Sequence, residues 1–174
     1  PEGASYWSYG TTFNVMLIAA LETALGTDFG LAQAPGFLAT ADYMLHVYGP
    51  TGLPFNYSDA GSGRAGLIPA MFWFAGRRGD SYLLWSEQAK LEALAAGADG
   101  GQGDRLDPLL ALWLKPELGR PAAPPSLSWT GRGTVPVAFH RSSWTPEAAY
   151  VAGKGGAPAG NPAHMGVGPV RLGA

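Results

Sequence analysis

Two tyrosines, Tyr6 and Tyr9, stand three residues apart in the run Tyr6-Trp7-Ser8-Tyr9-Gly10, at the head of a long apolar stretch. If that stretch is helical, both phenols share one face of its first turn. The unpaired N–H groups and the positive end of the dipole favour negative charge there, phenolate included. A phenol so placed suits removal of a proton from carbon beside a carboxylate, provided its pKa, ordinarily near ~10, is brought down by a cation or a dipole. Aromatic residues at a helix entrance also serve simple packing, and the spacing by itself does not choose between the two.

Other polar side chains are candidates for contacts. Asn56, Tyr57 and Asp59 fall between Leu53 and Gly63, a stretch dense in turn residues. Asn and Asp there cap local backbone N–H groups, the reading favoured for this pair, although such loops also expose ligand contacts. Arg141 carries a planar fork that fits a carboxylate; beside Trp144 it is also placed to anchor a strand. His46 and His140 have no partner pattern. The chain has no Gly-x-Ser-x-Gly elbow and no phosphate loop, and its glycine-rich stretch Gly97 to Gly103 lacks lysine and follows a helix, which makes it a loop.

The elements that must position these residues divide into a helical part and a strand part. Phe13, Met16, Leu17, Ala20, Leu21, Ala24 and Leu25 recur at three- and four-residue spacing and stop at Gly26, predicting a first helix with this apolar face. Further helices are expected over Phe37 to Tyr48, Ile68 to Ala75, Asp80 to Ala96 with a break near Ser86, and Asp107 to Leu114. Pro116 to Pro125 holds four prolines and reads as an extended linker. Short strands are expected at 135–139, 149–152 and 168–172. Helices followed by strands make an α+β arrangement of two layers or two domains.

Composition sets limits. The 174 residues suit one domain, or one and part of another, and 47% apolar content can build a sizeable core. Glycine (26) and proline (15) make up about a quarter of the chain, so turns are many. A net charge of −2 gives no electrostatic footprint for nucleic acid or an anionic membrane, while a local basic pocket for an anionic polymer stays compatible with it. No apolar run is long enough to cross a membrane, and without cysteine there is neither a disulfide nor a thiolate metal site. The first residue, Pro1, and the strand-like end at Leu172-Gly173-Ala174 suggest a piece of a longer protein.

Four segments, in order, resemble the heparinase II/III-like polysaccharide lyases. They are Pro1-Glu2-Gly3-Ala4-Ser5-Tyr6-Trp7-Ser8-Tyr9-Gly10-Thr11; Phe55-Asn56-Tyr57-Ser58-Asp59-Ala60-Gly61 after Gly49-Pro50-Thr51-Gly52; Phe139-His140-Arg141-Ser142-Ser143-Trp144 running on to Lys154-Gly155-Gly156; and Asn161-Pro162-Ala163-His164-Met165. The resemblance implies an incomplete α/α toroid over 1–115, a linker over 116–133 and the first strands of an antiparallel β-sandwich over 134–174. It also implies β-elimination of an acidic polysaccharide of glycosaminoglycan or alginate type. A base takes the C5 proton, an acid protonates the glycosidic oxygen leaving C4, and hydrogen-bond donors neutralise the carboxylate.

By the same resemblance Tyr6 is the base or acid, with Tyr9 as fallback, and Trp7, Asn56, Tyr57, Arg141 and His164 are substrate contacts. The Asn/His segment with which family members hold the carboxylate has no counterpart here, so this piece is expected to be inactive by itself. Some members bind zinc through a second His and an Asp near the His164 position; Pro162 and Gly166 stand at those places. A zinc site needs three or four ligands, so none is expected, and no cofactor is required. His164 is equally a lone strand-end histidine. Bacterial members imply a periplasmic or secreted location. Two alternatives stay open: a saccharide-binding relative that has lost catalysis, and a toroid glycoside hydrolase, for which Glu2 and Asp59 are the loop-placed carboxylates.

Overall fold

The computed structural model describes residues 3–97, 104–133 and 135–156, and the backbone of 170–173. The glycine-rich stretch beyond Gly97 and the segment around His164 lie outside the described residues. Among these residues, five α-helices precede an antiparallel sheet of four strands, the α+β class expected from the sequence. The chain groups into two compact units, one of residues 8–41 and 66–124 and the other of 1–7, 42–65 and 125–174. Residues 42–65, read with the helices in the sequence, thus group with the strands.

In the helical unit, α1 (Ala4–Leu25) contributes from Ser8 onward and ends at Gly26, whose φ of 72° is open to glycine. Its buried face is Thr11, Thr12, Val15 and Ile18, with the Thr12 hydroxyl donating to the Ser8 carbonyl at 2.6 Å. Phe13, Leu17 and Leu25, three of the residues expected to face the core, are exposed. The correction has a simple cause: α1 is apolar on nearly every side, so two stripes satisfy the same spacing and periodicity cannot rank them.

The core of this unit is α3 (Pro69–Arg78), in which every residue from Pro69 to Ala75 is buried. Pro69 sits in the first turn, where its missing N–H has no helical partner to lose, and Gly79 closes the helix at φ 71°. Phe37 packs on Phe74 and Trp73 at ring distances of 5.5 and 6.3 Å. The predicted break near Ser86 is present: a 3-10 turn at Ser81–Leu84 precedes α4 (Glu87–Ala95). A second 3-10 turn, Asp107–Leu109, leads into the short α5 (Leu110–Trp113). Glu87 is buried, accepts the N–H of Ile68 at 2.9 Å and the Lys90 ammonium at 2.6 Å, and so binds the start of α3 to α4. Burial pushes its carboxyl upward while Lys90 pulls it back.

The sheet unit combines the last part of α2 (Thr40–Val47) with β1 (Ser128–Gly131), β2 (Val137–Arg141), β3 (Tyr150–Lys154) and β4 (Val170–Gly173), paired in that order. The first two expected strands begin two and one residues later than read, and residues 168 and 169 of the third lie outside the described residues. β1 escaped the sequence reading because its alternation is between half-buried and exposed positions, with no apolar run to mark it. Alternation in β2 and β3 turns Val137, Phe139 and Arg141, and Tyr150, Ala152 and Lys154, toward the core. Phe139 meets Trp129, Tyr43 and Phe55 at 5.8, 5.9 and 6.1 Å. Among the described residues no helix is long and apolar enough to cross a membrane.

Replacing Glu87 by alanine leaves a buried N–H at the α3 entrance unmatched. Loss of about 1.5–3 kcal/mol is expected in chemical denaturation, the range for hydrogen bonds to a charged group. An unchanged denaturation midpoint would remove this contact from the account of the helical unit.

Candidate functional site

Tyr6 and Trp7 enter the sheet unit on the first turn of α1, which lies against the loop at 57–61. A Cβ on Gly3 would come within 2.3 Å of the Ala60 Cβ, and its φ is 96°. Only glycine allows this approach. The Gly61 N–H donates to the Ser5 hydroxyl at 3.2 Å, holding the same two segments. In this setting Tyr6 is 49% exposed, so its phenol is reachable from solvent. Trp7 is half-buried, its ring 6.5 Å from that of Tyr43.

From Trp7 a line of contacts runs inward. The hydroxyls of Tyr43 and Tyr57 are hydrogen-bonded at 2.9 Å, and the Lys154 ammonium stands 5.9 Å from the Tyr57 ring centre. Burial raises both phenols above the usual tyrosine range, so neither is a proton carrier near neutral pH. Tyr57 therefore holds the loop from inside, while its neighbour Asn56 is exposed. Ser58, between Tyr57 and Asp59, adopts φ 53°, an uncommon conformation for a residue with a side chain.

Arg141 lies elsewhere in the same unit. It is buried on β2 and donates through Nη2 to the carbonyls of Tyr48 at 2.6 Å and Leu45 at 3.3 Å. These carbonyls end α2, where the last helical acceptors lack partners and the dipole favours a cation. The guanidinium covers the Trp144 ring at 3.7 Å, and the Tyr150 hydroxyl donates to the His46 carbonyl at 2.8 Å. Burial lowers the Arg141 pKa to about 10, which leaves it charged at neutral pH. Of its two readings, strand anchoring is the one its geometry performs.

The remaining candidates are dispersed. Tyr9 belongs to the helical unit, 58% exposed with its ring 4.9 Å from Phe13. His164 and Glu2 lie outside the described residues. His140 is exposed on β2, its Nδ1 2.7 Å from the Ser128 hydroxyl across the strand pair. Sequence reasoning passed over Tyr43 and Lys154 as site residues. The signal for Lys154 was available: alternation from Tyr150 through Ala152 puts a lysine on the inward face. Tyr43 offered none, since its partner is fourteen residues away.

The helical unit has a groove of its own, about 520 Å³, lined among others by Glu22, Thr23, Trp73, Arg77, Trp113 and Lys115. Arg77 there is already paired with Glu22 at 2.6 Å. Among the described residues no three His, Cys, Asp or Glu side chains gather as a metal site would require. Comparison of the sequence with protein-family models returns no match, and comparison with curated proteins returns none either.

His46, buried on α2 with its ring 5.3 Å from Trp144, gives this unit a pH dependence. Burial first, and then the Arg141 charge, lower its pKa from 6.5 to about 4, against a smaller opposing pull from Asp42. The folded state thus binds fewer protons than the unfolded one. The related stability is intact above pH 6.5 and is lost as the pH falls toward 4, by at most ~3 kcal/mol. Denaturation of the protein and of His46→Gln across this range should give a shallower slope for the variant; equal slopes would assign the acid sensitivity to other groups.

Proposed function

We propose that this chain is part of a heparinase II/III-like polysaccharide lyase that cleaves a uronic-acid-containing polysaccharide by β-elimination. The observation that carries the reading is Tyr6: a solvent-open phenol on the first turn of α1, beside the loop that holds the second family-like segment. The four ordered segments that resemble the family support it. On this reading the helices belong to an α/α toroid and the four strands begin a β-sandwich. The protein is exported to the periplasm or beyond, and an acidic polysaccharide is its partner.

In the proposed reaction the Tyr6 phenolate oxygen takes the proton from C5. The released electron pair is delocalised into the adjacent carboxylate as an enediolate and then forms the C4–C5 double bond. The C4–O bond breaks with its electrons on the glycosidic oxygen, which receives a proton from the phenol. Side chains suffice for this chemistry, and no cofactor is part of it. Half-buried Trp7, the next residue on the same helical turn, serves in this reading as a surface for the sugar ring, and exposed Asn56 offers the sugar a hydrogen-bonding amide. A second reading, a saccharide-binding relative without turnover, is favoured by Pro162 and Gly166 at positions where family members carry His and Asp.

The test is ultraviolet absorbance of the unsaturated uronate released by the complete protein from glycosaminoglycan and alginate substrates. Tyr6→Phe should lower turnover by about 10²- to 10⁴-fold, as loss of a general acid–base group does. Full activity of Tyr6→Phe would overturn the role given to this residue. Tight binding of the same polymers without any product would favour the binding-only relative.

A further inference from the structure

Two cations occupy the buried face of the sheet, and their surroundings differ. Arg141, opposite Tyr150 in the β2–β3 register, is met by two backbone carbonyls and two aromatic rings. Lys154, opposite Val137 at the other end of the same strand pair, is 8% exposed. Its ammonium stands 5.9 Å from the centre of the Tyr57 ring, and none of the ion pairs found among the described residues includes it. An ammonium has three N–H donors, and an aromatic face attracts its charge without accepting those hydrogen bonds as an oxygen would. Lys154 buries its aliphatic stem, and its Nζ is not among the buried nitrogens left without a partner, so the ammonium tip is reached from solvent and open to an incoming anion. Tyr57 does not drift beneath it, because its hydroxyl is tied to Tyr43.

We infer that the Lys154 ammonium is a receptor for a ligand carboxylate, and that this carboxylate belongs to a uronate residue of the polysaccharide. The identity of the anion rests on the lyase reading; the presence of an anion receptor rests on the environment of Lys154. A carboxylate supplies the oxygen acceptors that the side chain lacks, and a single lysine matches its single charge. Partial burial strengthens the pairing by reducing competition from water. In β-elimination such a cation also lowers the energy of the enediolate that develops on the same carboxylate. Lys154 is thus a binding residue that senses the acid function of the sugar.

The experiment is calorimetric titration of the complete protein with short oligomers of glucuronate and mannuronate, each as the free acid and as the neutral methyl ester. The wild type should bind the acid at least about tenfold more tightly than the ester, as expected for a charge-assisted hydrogen bond. Lys154→Met should bind both forms equally and weakly, while Lys154→Arg should recover part of the preference. A wild type without preference, or a Lys154→Met protein that keeps it, would overturn the inference. Lys154→Gln serves the same comparison if methionine disturbs folding, as judged by near-ultraviolet circular dichroism. Turnover separates this inference from the lyase reading. Preference for the acid that vanishes in Lys154→Met, with no unsaturated product from any substrate, would keep the receptor and reject the lyase; unsaturated product with an unaltered acid preference in Lys154→Met would do the reverse.

Discussion

The sheet-bearing unit depends on how charge is accommodated beneath its strands. Arg141 points inward from β2 and donates to the carbonyls of Leu45, in the last turn of α2, and of Tyr48, just beyond it, where the helix dipole favours a cation. Nη2 of this buried cation thus has two backbone acceptors, while its Nε has none among the described residues. The Trp144 ring over the guanidinium and the Tyr150 hydroxyl on the His46 carbonyl secure the same junction. His46 is kept neutral by its position next to that cation and by burial, which makes acid a direct challenge to this part of the molecule. At the far end of the strand pair, Lys154 is met among the described residues by the face of Tyr57.

Aromatic side chains carry structure from this junction to the surface. Trp129, Phe139, Phe55, Tyr43 and Tyr57 make a continuous set of ring contacts, most of them tilted or edge-to-face as the quadrupoles prefer. Trp7 joins it through Tyr43, so the first turn of α1 inherits a rigid support while Tyr6 stays open. In the proposed reaction Tyr6 is the proton carrier, and such a group must be held in place by residues whose own conformations are locked. Tyr43 and Tyr57 are placed for that support, and burial raises their own phenols above the usual tyrosine range.

The helical unit follows a different rule. Its central helix, α3, is buried along seven consecutive residues, and the flanking elements are fitted around it by small residues and local polar contacts. At Gly76 a Cβ would approach the Lys115 Cγ to 3.0 Å, so the absence of a side chain lets the lysine stem cross α3 closely. Arg78 closes the helix end by donating to Asp80, Tyr82 and the Leu38 carbonyl. Asp80 and Tyr82 are two and four residues from Arg78, whereas the Leu38 carbonyl is 40 residues away, so the end of α3 is held by local and distant partners together.

Much of this was legible in the residue order. The α+β class, the helix end at Gly26, the break before Glu87 and three of the strands follow from spacing and turn chemistry, because backbone geometry responds to local side chains, whereas α3 runs past its expected end at Ala75 to Arg78. What spacing could not decide was which side of an all-apolar helix meets the core, as α1 illustrates with Val15 and Ile18 inside and Leu17 outside. Nor could it decide whether Arg141 awaits a ligand or holds a strand, since that depends on carbonyls 93 and 96 residues away. The hydroxyl pair of Tyr43 and Tyr57 and the placement of the Lys154 ammonium at the Tyr57 ring exist only once distant segments are brought together. Local pattern determines conformation; the partner of a buried polar group is determined by the fold, because only packing removes the water that would otherwise satisfy it.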